Sequence, residues 1–129
     1  MERTRTKTFV GRDQSVRLVR RFVSAQLAGH PCLDDAVLIA DEFAANAVQH
    51  SGAPEFKIEL HISSERVRVI AVSDSLTETV PHVEARMADG EEEDGRGLMI
   101  VQALAKEWGF DPDHGRTTVW ANLGLVSAP

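Results

Sequence analysis

Three polar side chains in the stretch from Glu42 to His50 have a spacing that could support chemistry. Glu42, Asn46 and His50 are four residues apart, so on a helix they fall within an arc of about 80° on one face. The alanine side chains between them are small, which would let a ligand or its metal ion lie close to the helix. A solvated helix face is the alternative, because polar residues at this spacing are common on helices.

Asp74 ends an apolar segment and is a second candidate. A carboxylate there is predicted to lie at the margin of the core, where it needs a hydrogen-bond donor because an unpaired buried charge is costly. The exocyclic amine of adenine is such a donor. A neighbouring backbone N–H or a turn cap would serve equally, and the sequence leaves both interpretations open.

The turn Gly95-Arg96-Gly97 precedes an apolar stretch that begins at Leu98. Two glycines let the backbone approach a ligand closely, and the start of a helix offers free N–H groups and a positive dipole end that suit a phosphate. A glycine-bearing helix start without a ligand is the alternative. No Lys-Ser/Thr pair follows the glycines, which excludes a P-loop.

The elements that must position these residues follow from hydrophobic periodicity. The predicted helices span Asp13–Leu27, Pro31–Gln49 and Leu98–Trp108, the last closed by Gly109. The predicted strands span Phe56–Ile62, Val67–Val72 and Thr117–Leu123, with a further strand at Lys7–Val10. Residues 77–96 are predicted to form a long functional loop with a short helix around His82–Ala88.

This order of elements predicts an α+β two-layer sandwich, in which helices cover one face of a mostly antiparallel sheet. A length of 129 residues fits a single domain, 1–129. No apolar run approaches the roughly 20 residues that cross a bilayer, and the start of the chain lacks a signal-peptide core, so a cytoplasmic protein without a membrane partner is expected.

Charge and cysteine content exclude several classes of function. A formal net charge of −6 argues against direct nucleic-acid binding, which depends on neutralising phosphates with Lys and Arg. Cys32 is alone, and no Cys/His spacing matches a zinc site, so neither a disulfide nor a structural metal framework is predicted.

Positive charge is nevertheless concentrated near the N-terminus. The basic residues there are Arg3, Arg5, Lys7, Arg12, Arg17, Arg20 and Arg21. In the first predicted helix, Arg17 and Arg21 lie away from the apolar face and Arg20 at its edge. They form either a solvated side or a partner-binding surface for a homodimer or a sigma factor.

Taken in order, these segments resemble the ATP-binding fold shared by DNA gyrase, heat-shock chaperones, sensor histidine kinases and mismatch-repair ATPases, the GHKL or Bergerat-type superfamily. The stretch Glu42–His50 resembles its N box, Val72–Asp74 its adenine-binding strand end, and Asp94–Leu98 its second glycine box. The chain looks most like the small bacterial anti-sigma-factor serine/threonine kinases, and the resemblance covers residues 9–123.

The resemblance implies a role for each site residue. Asn46 would hold Mg²⁺ between the phosphates of ATP, and Glu42 would act as general base. Asp74 would accept a hydrogen bond from adenine N6. The remaining nucleotide contacts would come from His50, Gly95, Arg96, Gly97, Leu98 and Thr118.

The function implied is an ATP-dependent serine/threonine protein kinase that is also an anti-sigma factor. Its partners would be a small antagonist (anti-anti-sigma) protein, which it phosphorylates, and a sigma factor, which it sequesters. One alternative is a switch that binds ATP and a partner without transferring phosphate. Another is a structural interaction module without nucleotide, which would make Asn46, Asp74 and the glycine turn coincidental.

Overall fold

The computed structural model describes residues 2–50, 53–74, 95–113 and 115–124, without the side chains of residues 50, 95–98, 112 and 113. Within these residues the chain forms three helices and five strands. In chain order they are β1 (Arg3–Val10), α1 (Gln14–Gln26), α2 (Leu33–His50), β2 (Glu55–Ile62), β3 (Arg66–Asp74), α3 (Gly95–Leu104), β4 (Glu107–Asp113) and β5 (Arg116–Gly124).

The strands form one sheet in the order β1-β2-β3-β5-β4, and every neighbouring pair is antiparallel. Phe56, Ile58, Leu60 and Ile62 alternate with polar residues along β2, and all four are buried. This period of two gives the sheet one face toward the core. The predicted antiparallel hairpin from β2 to β3 is confirmed, and the strand predicted at Lys7–Val10 begins earlier, at Arg3.

All three helices contribute to the core on one face of the sheet. α1 packs on β1 and on α2, α2 packs on β2, β3 and β5, and α3 packs on β4 and on α2. Helix α2 therefore lies between the other two. Its buried stripe consists of Ala36, Ile39, Ala40, Phe43, Ala44 and Ala47. The expected two-layer α+β architecture is confirmed.

The connection before α2 is held to the turn between β2 and β3 by His30. The backbone N–H of Cys32 donates to His30 Nδ1 at 3.0 Å, so the ring proton lies on Nε2, which donates to the Ser63 carbonyl at 2.6 Å. Burial and then the nearby Asp35 carboxylate raise the pKa of the Cys32 thiol. A buried, protonated thiol is a poor nucleophile, which fits a structural role for Cys32.

The prediction that the last helix runs to Trp108 is wrong. α3 ends at Leu104, the Lys106 backbone N–H donates to the Asn122 carbonyl at 2.8 Å, and the chain continues as strand β4. Gly109 does not close a helix. It pairs with Trp120 of β5, and a Cβ atom there would lie 3.0 Å from the Trp120 ring, so the indole occupies the space that a side chain would fill.

Two further boundaries differ from expectation. α2 begins at Leu33, leaving Pro31 in the preceding turn, and α3 begins at Gly95 instead of Leu98. The short helix predicted at 82–88, and the predicted loop as far as residue 94, lie outside the described residues.

Candidate functional site

Glu42 and Asn46 lie one turn apart on α2, and both are half-buried. Successive residues of a helix are rotated by about 100° around its axis. Asp41 and Glu42 therefore lie on opposite sides of the direction in which the exposed Leu38 points. Asp41 points toward α1, because its Oδ1 accepts a hydrogen bond from Arg20 Nη2 at 2.9 Å. Glu42 and Asn46 therefore occupy the flank on the α3 side.

The C-terminal end of α2 lies at the sheet end where β3 finishes. His50 ends the helix, and β2 begins five residues later at Glu55. The next residue, Phe56, pairs with Ser73 of β3. The chain therefore brings the end of the Glu42–His50 helix and Asp74 to the same end of the sheet, with Asp74 one residue beyond the helix-side Ser73 and on the opposite face.

Asp74 is not at the margin of the core as expected. Its side chain is 71% exposed, and its Oδ1 accepts a hydrogen bond from Arg116 Nε at 3.0 Å. The two residues face each other directly across β3 and β5. A carboxylate has a second oxygen and spare lone pairs, so this ion pair leaves capacity to accept from a ligand amine.

Thr118 faces away from the helices. It pairs with Val72, whereas the buried Val119, Ala121 and Leu123 alternate with it on the helix side. Thr117 shares the helix side with its partner Ser73, which is buried. The polar pair under the helices at this sheet end is thus Ser73 and Thr117, neither of which is among the predicted contacts, and the nucleotide contact of Thr118 stays a prediction.

The glycine turn forms the first turn of α3. Gly95, Arg96 and Gly97 are helical together with Leu98, although the sequence predicted that the three precede the helix. The first backbone N–H groups of a helix have no partner within it, so this position keeps the donors that an anion requires. The side chains of Arg96, Leu98 and His50 lie outside the described residues.

The donor set is compatible with Mg²⁺ but does not form a metal cage. No cluster of three His, Cys, Asp or Glu side chains is found among residues 2–50, 53–74, 95–113 and 115–124. Mg²⁺ in nucleotide sites is held by one or two protein oxygens together with phosphates and waters. The side-chain oxygen of the half-buried Asn46 is a suitable ligand of that kind.

A search among curated proteins finds no significant match to the chain. Within the described residues, no helix is long and apolar enough to cross a membrane.

A protein-family comparison gives a clear assignment. The model of the histidine kinase-like ATPase domain matches residues 9–123, from Phe9 in β1 to Leu123 in β5. That range contains every residue of the candidate site. The family description indicates an ATP-using domain, in agreement with the antiparallel sheet, the three helices on one face and the polar flank of α2. The chain belongs to the histidine kinase-like ATPase domain family.

Proposed function

We propose that this protein is an ATP-dependent serine/threonine protein kinase and anti-sigma factor, which phosphorylates a small antagonist protein and sequesters a sigma factor. The observation that supports this proposal best is the shared position of Glu42 and Asn46, one turn apart on the half-buried flank of α2 that faces α3. Phosphoryl transfer needs a carboxylate to orient or deprotonate the attacking hydroxyl, close to the group that positions the phosphates.

The nucleotide is proposed to lie over the end of the sheet reached by β3. Asp74 accepts from the adenine N6 amine through the carboxylate capacity that Arg116 leaves. The first turn of α3, with Gly95 and Gly97, donates backbone N–H groups to the phosphates. Asn46 would hold Mg²⁺, and the bound ion would neutralise phosphate charge. The proposed contact set also includes His50, Arg96, Leu98 and Thr118. Thr117 is an additional candidate, because it pairs with Ser73 on the helix side of the sheet.

In the proposed reaction Glu42 accepts the proton of the partner's serine or threonine hydroxyl. The oxygen of that hydroxyl forms a bond to the γ-phosphorus, and the bond from that phosphorus to the β,γ-bridging oxygen breaks, so ADP leaves with the bonding electrons. A rise of about 1.5 Å per residue separates positions 42 and 46 by roughly 6 Å along the helix. Base and phosphate-positioning group can therefore act on neighbouring atoms of one substrate.

Incubation of the protein with Mg-ATP and candidate antagonist proteins from its genome neighbourhood tests the proposal. We expect phosphate on a serine or threonine of one antagonist, detected by mass spectrometry, and lost with Glu42→Gln. ATP binding without transfer to any antagonist would instead support the switch, in which nucleotide occupancy alone controls partner binding. Absence of ATP binding would contradict both.

A further inference from the structure

Strand β1 is an edge of the sheet and carries an unusual charge pattern. It lies at one end of the strand order, so one side of its backbone pairs with β2 and the other side has no neighbouring strand among the described residues. An edge strand presents a row of N–H and C=O groups to which another chain can pair. All of its residues except Phe9 are exposed.

The two rows of β1 side chains differ in chemistry. The row on the helix side contains Arg3, Arg5 and Lys7 and ends at the buried Phe9, whereas the opposite row contains Thr4, Thr6, Thr8 and Val10. Phe9 assigns the faces, because its ring stacks on Phe56 and contacts Phe22 of α1. The exposed edge is therefore cationic on one face and β-branched on the other.

The three cations are not neutralised by carboxylates among the described residues. Arg3 Nη2 donates to the Gln26 carbonyl at 3.0 Å, and Arg5 Nη1 donates to the Thr4 carbonyl at 3.1 Å. Lys7 Nζ lies 5.7 Å from the centre of the Phe9 ring. In a protein with a formal net charge of −6, Arg3, Arg5 and Lys7 thus give this edge three positive charges that no carboxylate of the described residues pairs with.

We propose that β1 is a docking edge for an extended acidic segment of a partner protein, which adds to the sheet as a sixth strand. Backbone hydrogen bonds to β1 supply affinity that does not depend on the sequence of the partner, and alternate side chains supply the specificity. The fitting segment alternates Asp or Glu, facing Arg3, Arg5 and Lys7, with β-branched or apolar residues, facing the threonine row and Val10. This surface is separate from the proposed nucleotide site, so the proposal does not depend on kinase activity.

A second copy of the chain fits this edge less well. Antiparallel pairing of two β1 strands about a two-fold axis places residues on the same face opposite each other. Pairing Arg5 with its own copy, for example, puts Arg3 opposite Lys7. Like charges directly opposite each other destabilise a sheet, whereas opposite charges there stabilise it. Charge complementarity therefore favours an acidic partner over self-association.

The test uses a fluorescein-labelled, capped octapeptide of alternating glutamate and valine, matched to the eight residues of β1. We expect saturable binding by fluorescence anisotropy at about 50 mM salt, where surface charges are weakly screened. Arg5→Glu with Lys7→Glu should weaken binding about tenfold or more, since attraction becomes repulsion. Arg17→Glu with Arg21→Glu on α1 makes the same change in net charge and should alter it less than about threefold.

Two further measurements separate strand addition from general charge attraction. Hydrogen exchange of the amides of residues 3–10 should slow when the peptide binds, and the same peptide N-methylated at every amide should not bind. Arg5→Gln with Lys7→Gln should give an intermediate affinity at an unchanged melting temperature. The proposal is overturned by absent binding, by binding that survives N-methylation or charge reversal, or by a dimer whose β1 amides are protected without peptide.

Discussion

The two flanks of α2 carry carboxylates at consecutive positions but differ in what surrounds them. On the α1 flank, Asp41 accepts a hydrogen bond from Arg20, and the neighbouring helix covers the apolar stripe beside it. On the α3 flank, Glu42 shares a half-buried surface with the amide of Asn46. Adjacent residues of one type thus serve two purposes, attachment of a helix on one side and, as proposed, chemistry on the other.

The comparison predicts that the two carboxylates respond differently to loss of charge. Glu42→Gln preserves size and hydrogen bonding but removes the proposed base, so phosphate transfer to the antagonist should fall by about 10²–10⁴-fold. ATP affinity should stay nearly intact. Asp41→Asn is the matched control on the other flank and should transfer phosphate at close to the wild-type rate. Single-turnover assays with radiolabelled ATP, together with calorimetry of ATP binding, measure both quantities.

The same assay can refute the division between the flanks. If Asp41→Asn slows transfer as much as Glu42→Gln, the two flanks are not functionally distinct. If Glu42→Gln transfers at the wild-type rate, Glu42 has no part in the mechanism.

The second prediction concerns Asn46, on the same flank as Glu42. Asn46→Ala should weaken binding of ATP in the presence of Mg²⁺ by about ten- to a hundredfold, the loss expected for a hydrogen bond or ligand contact to a charged group. Gln49→Ala, an exposed change on the same helix, is the control and should bind normally. Calorimetry with and without Mg²⁺ decides this, and equal affinity of Asn46→Ala and wild type would remove Asn46 from the site.

The third prediction distinguishes the two possible roles of Asp74. If Asp74 recognises adenine, Asp74→Asn should weaken ATP about tenfold, because a charged acceptor is lost and an amide donor faces N6. If Asp74 serves only the ion pair, Arg116→Ala should have the same effect as Asp74→Asn. We expect Arg116→Ala to change ATP affinity less than about threefold, since the pair is exposed and contributes little. Competition binding of ATP and GTP measures both variants.

The flanks of α2 were predictable from the sequence because the helix is long and its apolar stripe is regular. Helical spacing alone placed Glu42 and Asn46 on one face, and the structure adds only which neighbouring helix each flank meets. The ends of β3 and β5 were less predictable. Ile70 and Val72 are apolar although they face away from the helices, so β3 gave no alternation from which the side of Asp74 could be deduced.

Two structural details, the sheet side of Thr117 and the wrongly predicted helix end at Trp108, had signals that were available in the sequence. Val119, Ala121 and Leu123 alternate clearly, and extending that alternation backward assigns Thr117, not Thr118, to the helix side. Trp108 and Phe110 flank Gly109 in an alternation typical of a strand, but helical spacing from Leu98 also reaches Trp108. Pairing with β5 stabilises the strand over the helix. This pairing is a long-range interaction, so it cannot be deduced from local periodicity.

The smallest expected effect is on the structural flank itself. The Arg20–Asp41 pair has a good distance, 2.9 Å, but the Arg20 side chain is 56% exposed, so solvent screens it. A double-mutant cycle with Arg20→Ala and Asp41→Ala should give a coupling energy below about 1 kcal/mol in urea unfolding, and high salt should reduce it further. Arg17→Ala, on the same helix, should change the free energy of unfolding by less than about 0.5 kcal/mol. A salt-insensitive coupling above about 2 kcal/mol would mean that the pair is effectively desolvated. In that case the α1 flank would also contain a desolvated polar group, and a half-buried polar surface would no longer distinguish the α3 flank from it.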